Sequence, residues 1–348
     1  MKIAQKIKEK FNSITVLGGV HATAQPDKID AIFNKVVIGE GEWAILELLK
    51  DIKKSTKKRF YQKDPIEDLD RIPFPARHLL PYDSIVSYSL AEKGKPATAI
   101  IISRGCPYNC SFCASKVMWG QRVRFRSPGN VIKEIRQVIK DYGVYHFRFQ
   151  DDTLTQNRAR FLELCKKMEP LGIQWRCNTR VNYAEKEMLN AMKKAGCQEV
   201  GYGIESASQE VLDINNKKIK VEQAIQAVRN TKTAGLKVRL FFMIGLPGES
   251  SDISKINIDF IRKTKPDGVD LSTFIPFPGC DIYERPGDYG IKKLNSDYSQ
   301  YVMTVGLYKN EVEKDFVYEY SSLTNEELKR HRKIILEYIK ENSLVLNK

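Results

Sequence analysis

Ala97-Thr-Ala-Ile-Ile-Ile-Ser-Arg-Gly-Cys106-Pro-Tyr-Asn-Cys110-Ser-Phe-Cys113 joins an apolar run to a loop holding three of the seven cysteines in this 348-residue chain. An apolar run bounded by glycine reads as a buried strand, Ala97–Ser103. Similar runs follow at His146–Gln150, Gln174–Asn178, Glu199–Ile204, Lys237–Ile244 and Val269–Phe274. Helical patterns between them start near Pro128, Asn157, Lys186, Val221 and Asp252. Six regular β/α steps predict an α/β fold, a partial (β/α)6 TIM-like barrel over residues 97–285. An open doubly wound sheet accounts for the same strand count.

Upstream, residues 1–60 read helix, strand, helix, strand, helix, with strands at Ile14–Leu17 and Val36–Ile38 and helices at Pro26–Phe33 and Glu42–Ile52. Two strands make only a partial Rossmann-like (flavodoxin-like) segment. Residues 61–96 carry Pro65, Pro73, Pro75 and Pro81, which predicts a linker. Phe74, Leu79, Leu80 and Tyr82 within it call for burial, so it is expected to wrap the core. Residues 286–348 form a C-terminal extension ending in an amphipathic helix, Thr324–Glu341, opened by a Thr324/Glu327 capping box.

A content of 42% apolar and 29% charged residues excludes a wholly disordered chain. No apolar run reaches the ~20 residues of a membrane span, and Met1–Phe11 lacks the apolar centre of a signal peptide. A cytoplasmic location is expected. The net charge of +14 suits an anionic partner or a lysine-rich solvated surface. Arg122, Arg124 and Arg126 alternate, so in an extended segment they would share a face, as a phosphate backbone would require.

Cys106, Cys110 and Cys113 crowd a loop directly after a strand, where β/α barrels place active sites. Three thiolates can hold three irons of a cubane and leave the fourth iron open. Tetrahedral structural zinc is the alternative; it wants a fourth ligand, which Cys177, Cys197 or Cys280 would have to bring through the fold. Cys165 falls on an apolar helix face with Phe161, Leu162 and Met168 and reads as core.

The spacing C-x3-C-x2-C, with Phe112 before the third cysteine, resembles the signature of radical S-adenosylmethionine (SAM) enzymes. The resemblance runs in order through Phe149-Gln-Asp151-Asp152-Thr, Arg180, Gly203-Ile-Glu205-Ser206, Gly245-Leu-Pro247-Gly248-Glu249 and Pro276-Phe-Pro-Gly279. It implies a [4Fe–4S] cluster on Cys106, Cys110 and Cys113, and SAM as cofactor, cleaved reductively to a 5′-deoxyadenosyl radical. It further implies that Asp152, or Asp151, receives the methionyl amine, and that Glu205 and Ser206 meet the ribose or methionine part. Arg180 would take the cofactor carboxylate, and Gly245, Pro247 and Gly248 would let backbone approach the adenine. Each has a plainer reading: a helix N-terminal acid for Asp152, a salt bridge to Glu205 or Asp152 for Arg180, and a strand–helix turn for the glycines.

Leu17-Gly18-Gly19-Val-His21 and Val37-Ile-Gly39-Glu-Gly41-Glu42 resemble the end of a cobalamin-binding domain. Gly18 and Gly19 would then lie near the nucleotide tail, and cobalamin becomes a further cofactor. The D-x-H-x-x-G segment of such domains is not found, and His21 does not occupy its position. The implied activity is methylation, cyclisation or rearrangement of an unactivated small-molecule or peptide substrate, with flavodoxin or ferredoxin as one-electron reductant. An RNA-modifying, methylthiotransferase-like enzyme would use the arginines. Against it, the sequence has no second cysteine cluster and no appended RNA-binding module. A non-catalytic iron–sulfur or zinc protein retaining the fold is the other alternative.

Overall fold

The computed structural model describes residues 2–86, 95–301 and 315–344. It opens with α1 (Lys2–Phe11), β1 (Val16–Leu17), α2 (Val20–Ala24), β2 (Lys35–Ile38), α3 (Gly41–Lys53) and β3 (Phe60–Gln62). The strands form a parallel sheet in the order β1-β2-β3. The third strand was hidden in a basic run; only its central Tyr61 is buried. The helix expected over 26–33 is a single 3₁₀ turn, Pro26–Lys28. The Asp30 carboxylate accepts the Ile32 N–H at 2.7 Å, which competes with helical hydrogen bonding.

The proline-rich segment holds a short helix, α4 (Tyr82–Ile85), and is anchored through Ile66, Leu69 and Val86. Leu79 and Leu80, expected to bury, are 75% and 55% exposed, and Tyr82 is exposed too. Arg77 ties the segment to Glu134 at 2.7 Å. Residues 87–94 of this linker, and 302–314 and 345–348 of the C-terminal extension, lie outside the described residues.

The core follows as β4 (Ala97–Ile100), β5 (Ser103–Arg104), α5 (Ser115–Trp119), β6 (Arg124–Phe125), α6 (Pro128–Tyr142), β7 (His146–Phe149), α7 (Arg158–Met168), β8 (Gln174–Thr179), α8 (Lys186–Lys194), β9 (Cys197–Glu205), α9 (Gln209–Ile214), α10 (Val221–Thr233), β10 (Lys237–Ile244), α11 (Ile253–Thr264) and β11 (Gly268–Thr273). Its sheet runs β11-β10-β9-β8-β7-β4, parallel throughout. Each strand lies beside its predecessor and the winding never reverses. A doubly wound sheet requires a reversal, so the architecture is the partial barrel. The long first strand expected at 97–103 breaks after Ile100; β5 turns away and pairs antiparallel with β6.

The outward face of the sheet is apolar. Trp175 is buried with its indole N–H on the Ala195 carbonyl at 2.7 Å, the Tyr202 hydroxyl meets Thr231 at 2.8 Å, and Phe242 packs edge-on to Phe260. The inward face is not apolar: it carries Arg148, Arg176, Glu199, Arg239 and Asp270. The strands therefore alternate rather than run uniformly hydrophobic. The chain closes with α12 (Asp281–Glu284), an antiparallel pair β12 (Ile291–Leu294) and β13 (Tyr318–Tyr320), and α13 (Asn325–Glu341), which packs on α11. Thr324 and Glu327 form the capping box read from the sequence.

A buried carboxylate joins the two sheets. Glu40, just past β2, pairs with Arg124 and, at 2.9 Å, with Arg104, and accepts the Ile66 N–H at 3.2 Å. Arg122 pairs with Glu67 at 2.8 Å and Arg126 with Glu134 at 2.5 Å. The alternating arginines thus do not offer a free phosphate-binding face. Each is committed to a carboxylate that fastens the wrapping layers to the core.

Candidate functional site

The cysteine loop leaves β4 and lies over the C-terminal ends of the core strands. Gly105 enters it at φ +99°, with its α-carbon backed onto the Arg122 carbonyl, a position only glycine fills. The loop is pinned from two sides. Ser111 donates its N–H to the Asn215 carbonyl at 3.1 Å, and the Asn216 amide donates to the Asn109 carbonyl at 2.6 Å. Ile282 donates its N–H to the Ser111 carbonyl at 3.1 Å. Cys110 is buried, while Cys106 and Cys113 are half-buried. Burial, then the neighbouring cysteines and Asp152, push the Cys113 thiol up to about 11.

These three sulfurs share one electrostatic neighbourhood. Yet among the described residues no three Cys, His, Asp or Glu side chains converge on a single ion position. Three thiols on one loop match three cysteine-held irons of a cubane, whereas a tetrahedral structural zinc ion wants a fourth ligand. The candidate fourth ligands are engaged elsewhere. Cys177 and Cys197 are buried against each other in the sheet, and Cys280 caps α12, its sulfur accepting the Tyr283 N–H at 3.4 Å. Cys165 is core, as expected.

Beside the loop stand two cations. The buried Arg180 guanidinium stacks 3.6 Å from the Tyr108 ring centroid, reaches the Cys110 sulfur at 3.7 Å and donates to the Lys217 carbonyl. It makes no salt bridge to Glu205 or Asp152. Glu205 instead pairs with Lys217 at 2.6 Å, and that ammonium lies 5.6 Å above the Phe112 ring. Glu205 sits at φ +67° and folds back over Gly203, where a β-carbon would strike its carboxylate. Lys217 was not anticipated; in the sequence it is one of a polar Asn-Asn-Lys-Lys run that reads as an ordinary turn.

The two aspartates separate. Asp151 is buried and accepts from Ile102 N–H at 3.0 Å, Ser103 N–H at 2.5 Å and Ser103 Oγ at 2.6 Å. Burial outweighs these bonds and raises it to about 7. It secures the break between β4 and β5. Asp152 is the exposed one; it accepts from Ser115 Oγ, next to Cys113. Ser206 is fully buried, its Oγ accepting the Ser208 N–H at 3.2 Å.

The glycine turn after β10 is packed against the C-terminal extension and α9. A β-carbon on Gly245 (φ +92°) would strike Tyr318 and Phe316, and one on Gly248 (φ +88°) would strike Ile214. Both clearances are filled by protein. The Gly245 carbonyl accepts from Tyr318 at 2.8 Å and Tyr320 at 2.7 Å, and the Pro247 carbonyl accepts from Asn215 at 2.8 Å. In the N-terminal layer, Gly18 packs on Val37. Gly19 (φ +90°) and Gly39 (φ +71°) have open space beside them at the ends of β1 and β2. His21 rests edge-on against Tyr298.

Glu249 accepts the Gly245 N–H at 2.9 Å, and its burial raises it to about 8. A carboxyl raised on folding stabilises the native state at low pH and loses that contribution as pH climbs from its unfolded value of 4.5 toward 8. Glu249→Gln keeps the acceptor without the charge. Thermal melts should show it no more stable than the parent at pH 4 and several degrees more stable at pH 8.5. A constant difference across that range would contradict the assignment.

Residues 100–256 match the family model described as the radical SAM superfamily. An uncharacterized methyltransferase of Pyrococcus horikoshii is 35% identical over 81% of this chain and 64% of its own length. The anaerobic magnesium-protoporphyrin IX monomethyl ester cyclase of Rubrivivax gelatinosus is 29% identical over 83% of this chain and 55% of its own length. The chain thus spans between about half and two thirds of these relatives. The fold resembles the radical SAM methyltransferase TsrM of Kitasatospora setae, with a TM-score of 0.63 at 16% identity over 84% of this chain and 62% of that one. It also resembles the cobalamin-dependent radical enzyme OxsB, with a TM-score of 0.63 at 19% identity over 82% of this chain and 44% of that one. The stretch that matches, residues 100–256, is the barrel that carries the three-cysteine loop, and this part of the chain is a radical SAM domain.

Proposed function

We propose that this protein is a radical SAM enzyme that methylates or cyclises an unactivated small-molecule substrate. The observation that carries the reading is the cysteine loop: three thiols in one field, flanked by Arg180 and the Lys217–Glu205 pair. When bound, a [4Fe–4S] cluster supplies one electron to the sulfonium of SAM, giving methionine and a 5′-deoxyadenosyl radical.

The chain's own residues bind and orient. Cys106, Cys110 and Cys113 would ligate three irons. Arg180 offsets thiolate charge at Cys110 and, with Lys217, offers cations to a carboxylate. Glu205 offers an acceptor to hydroxyl or ammonium groups, as does Asp152 on the other side of Cys113. Gly19 and Gly39 leave open space beside the ends of β1 and β2, which supports approach of a cobalamin's nucleotide tail there. The relatives' names, a methyltransferase and a cyclase, support this class of outcome.

A one-electron donor such as flavodoxin or ferredoxin completes the reaction. We place the enzyme in the cytoplasm, where seven free thiols stay reduced; among the described residues no helix is long and apolar enough to cross a membrane. Nucleic acid is disfavoured as substrate, because Arg122, Arg124 and Arg126 are each paired with carboxylates. Anaerobic reconstitution with iron and sulfide, then SAM and dithionite, should release 5′-deoxyadenosine. Iron-loaded protein that releases none would refute the reading. Retention of hydroxocobalamin through gel filtration, lost in Gly19→Trp, tests the corrin site.

A further inference from the structure

A closed barrel fills its interior with aliphatic side chains. Here the concave face of the six-stranded sheet carries a row of charge. On β7, Phe147 and Phe149 are buried on the helix side, and Arg148 points the other way. The row continues through Arg176 on β8, Glu199 on β9, Arg239 on β10 and Asp270 on β11. Glu199 binds Arg239 through two bonds of 2.9 and 3.0 Å and lies 3.9 Å from Arg176. Arg239 also faces Asp270 at 3.5 Å. Among the described residues, three guanidinium groups on this face thus meet two carboxylates, both engaged by Arg239.

Arg148 is the surplus cation. It has no hydrogen bond or ion-pair partner among the described residues. Burial opposes its charge most; Glu199 attracts it, Arg239 repels it and Asp270 attracts it, without an ion pair to either carboxylate. Its register neighbours are Arg176 on one side and Ala99 on the other, so the β4 side holds only a methyl group. A half-buried guanidinium without a partner is costly, and its planar fork suits an oxyanion. It lies three residues before Asp151, on the strand whose following loop carries Asp151 and Asp152.

We propose that Arg148 binds an acidic oxygen group of the substrate, a carboxylate or a phosphoryl group, on the concave face of the sheet. The substrate is then an organic anion, anchored at Arg148 with its reactive carbon extending toward the cysteine loop. This rests on the proposed function for taking the concave face as the substrate cavity.

Calorimetric titration of the reconstituted protein with inorganic phosphate, and separately with acetate, tests it. One saturable anion site is expected, and whichever anion binds more tightly tells a phosphoryl from a carboxylate ligand. Arg148→Gln should weaken it at least about tenfold, consistent with the loss of a charge-assisted pair. Arg148→Lys should fall between. Arg122→Gln, an exposed arginine elsewhere, should match the parent. Ala99→Asp, which supplies a carboxylate beside Arg148, should exclude the anion while the protein stays folded. Failure of the parent to saturate with either anion, or unchanged binding in Arg148→Gln or Ala99→Asp, overturns the proposal. Release of 5′-deoxyadenosine by the parent protein reports the enzymatic reading separately, since anion binding does not need the cluster.

Discussion

Cys110→Ala is expected to lose the iron–sulfur chromophore and to release no detectable 5′-deoxyadenosine. Cys110 is the most buried of the three loop thiols and the one that Arg180 approaches, at 3.7 Å. Without it, two sulfurs remain to hold the cubane, and an adjacent buried guanidinium faces no thiolate. Cys165→Ala, in the core between Phe161 and Met168, should keep full iron content and pay only a packing penalty. Cys280→Ala separates the cluster from the zinc alternative. It should retain the chromophore, because its sulfur already accepts the Tyr283 N–H. Iron analysis and absorbance on anaerobic samples read all three. Full chromophore in Cys110→Ala, or its loss in Cys280→Ala, would contradict the ligand assignment.

Glu40→Ala should destabilise the fold by about 3–5 kcal/mol, the cost of stranding buried charge. Glu40 is the shared counter-ion of Arg104 and Arg124, and side-chain exposure is 4% for Arg124 and 2% for Glu40. It also accepts the Ile66 N–H of the wrapping segment. Its loss leaves the buried Arg124 guanidinium without a carboxylate and the Ile66 amide without its acceptor, while Arg104 keeps its pair with Glu42. Loosening of the N-terminal layer should precede unfolding of the barrel, so that proteolysis after Lys53 or Lys54 accelerates first. Chemical denaturation measures the free energy. A loss under about 1 kcal/mol would mean that water reaches this site and that the pair contributes as little as surface pairs do.

The barrel was legible because each strand's outward residues repeat an apolar pattern that helices cover, and because Ser127, Asn157 and Thr324 cap their helices with their own side chains. Periodicity could not supply the strand order, which decides between the barrel and a doubly wound sheet. β3 escaped notice because three residues in a basic run have no periodicity to read. The expectation that Leu79 and Leu80 bury failed because hydrophobicity alone does not say whether a partner surface exists.

At the site, chemistry concentrated in one loop was readable, whereas pairings across the chain were not. Cys106, Cys110 and Cys113 announce themselves by spacing. The partnership of Glu205 with Lys217, twelve residues on, depends on Glu205 adopting φ +67° over Gly203, which sequence does not display. Asp151 and Asp152 look equivalent in sequence. The loop after β7 separates them, burying one to clasp the β4–β5 break and leaving the other exposed beside Cys113. Gly245 was read correctly as a place that excludes a side chain, but the occupants of the space are Tyr318 and Phe316, from a segment far along the chain.

Electron paramagnetic resonance of the dithionite-reduced, anaerobically reconstituted protein tests the central claim most directly, recorded with and without SAM alongside metal analysis. The account predicts about four irons per chain and a half-integer-spin signal whose shape changes when SAM is added, because SAM occupies the iron that no cysteine holds. A single zinc ion per chain with no paramagnetic signal, or a cluster signal that SAM leaves unaltered, would contradict it.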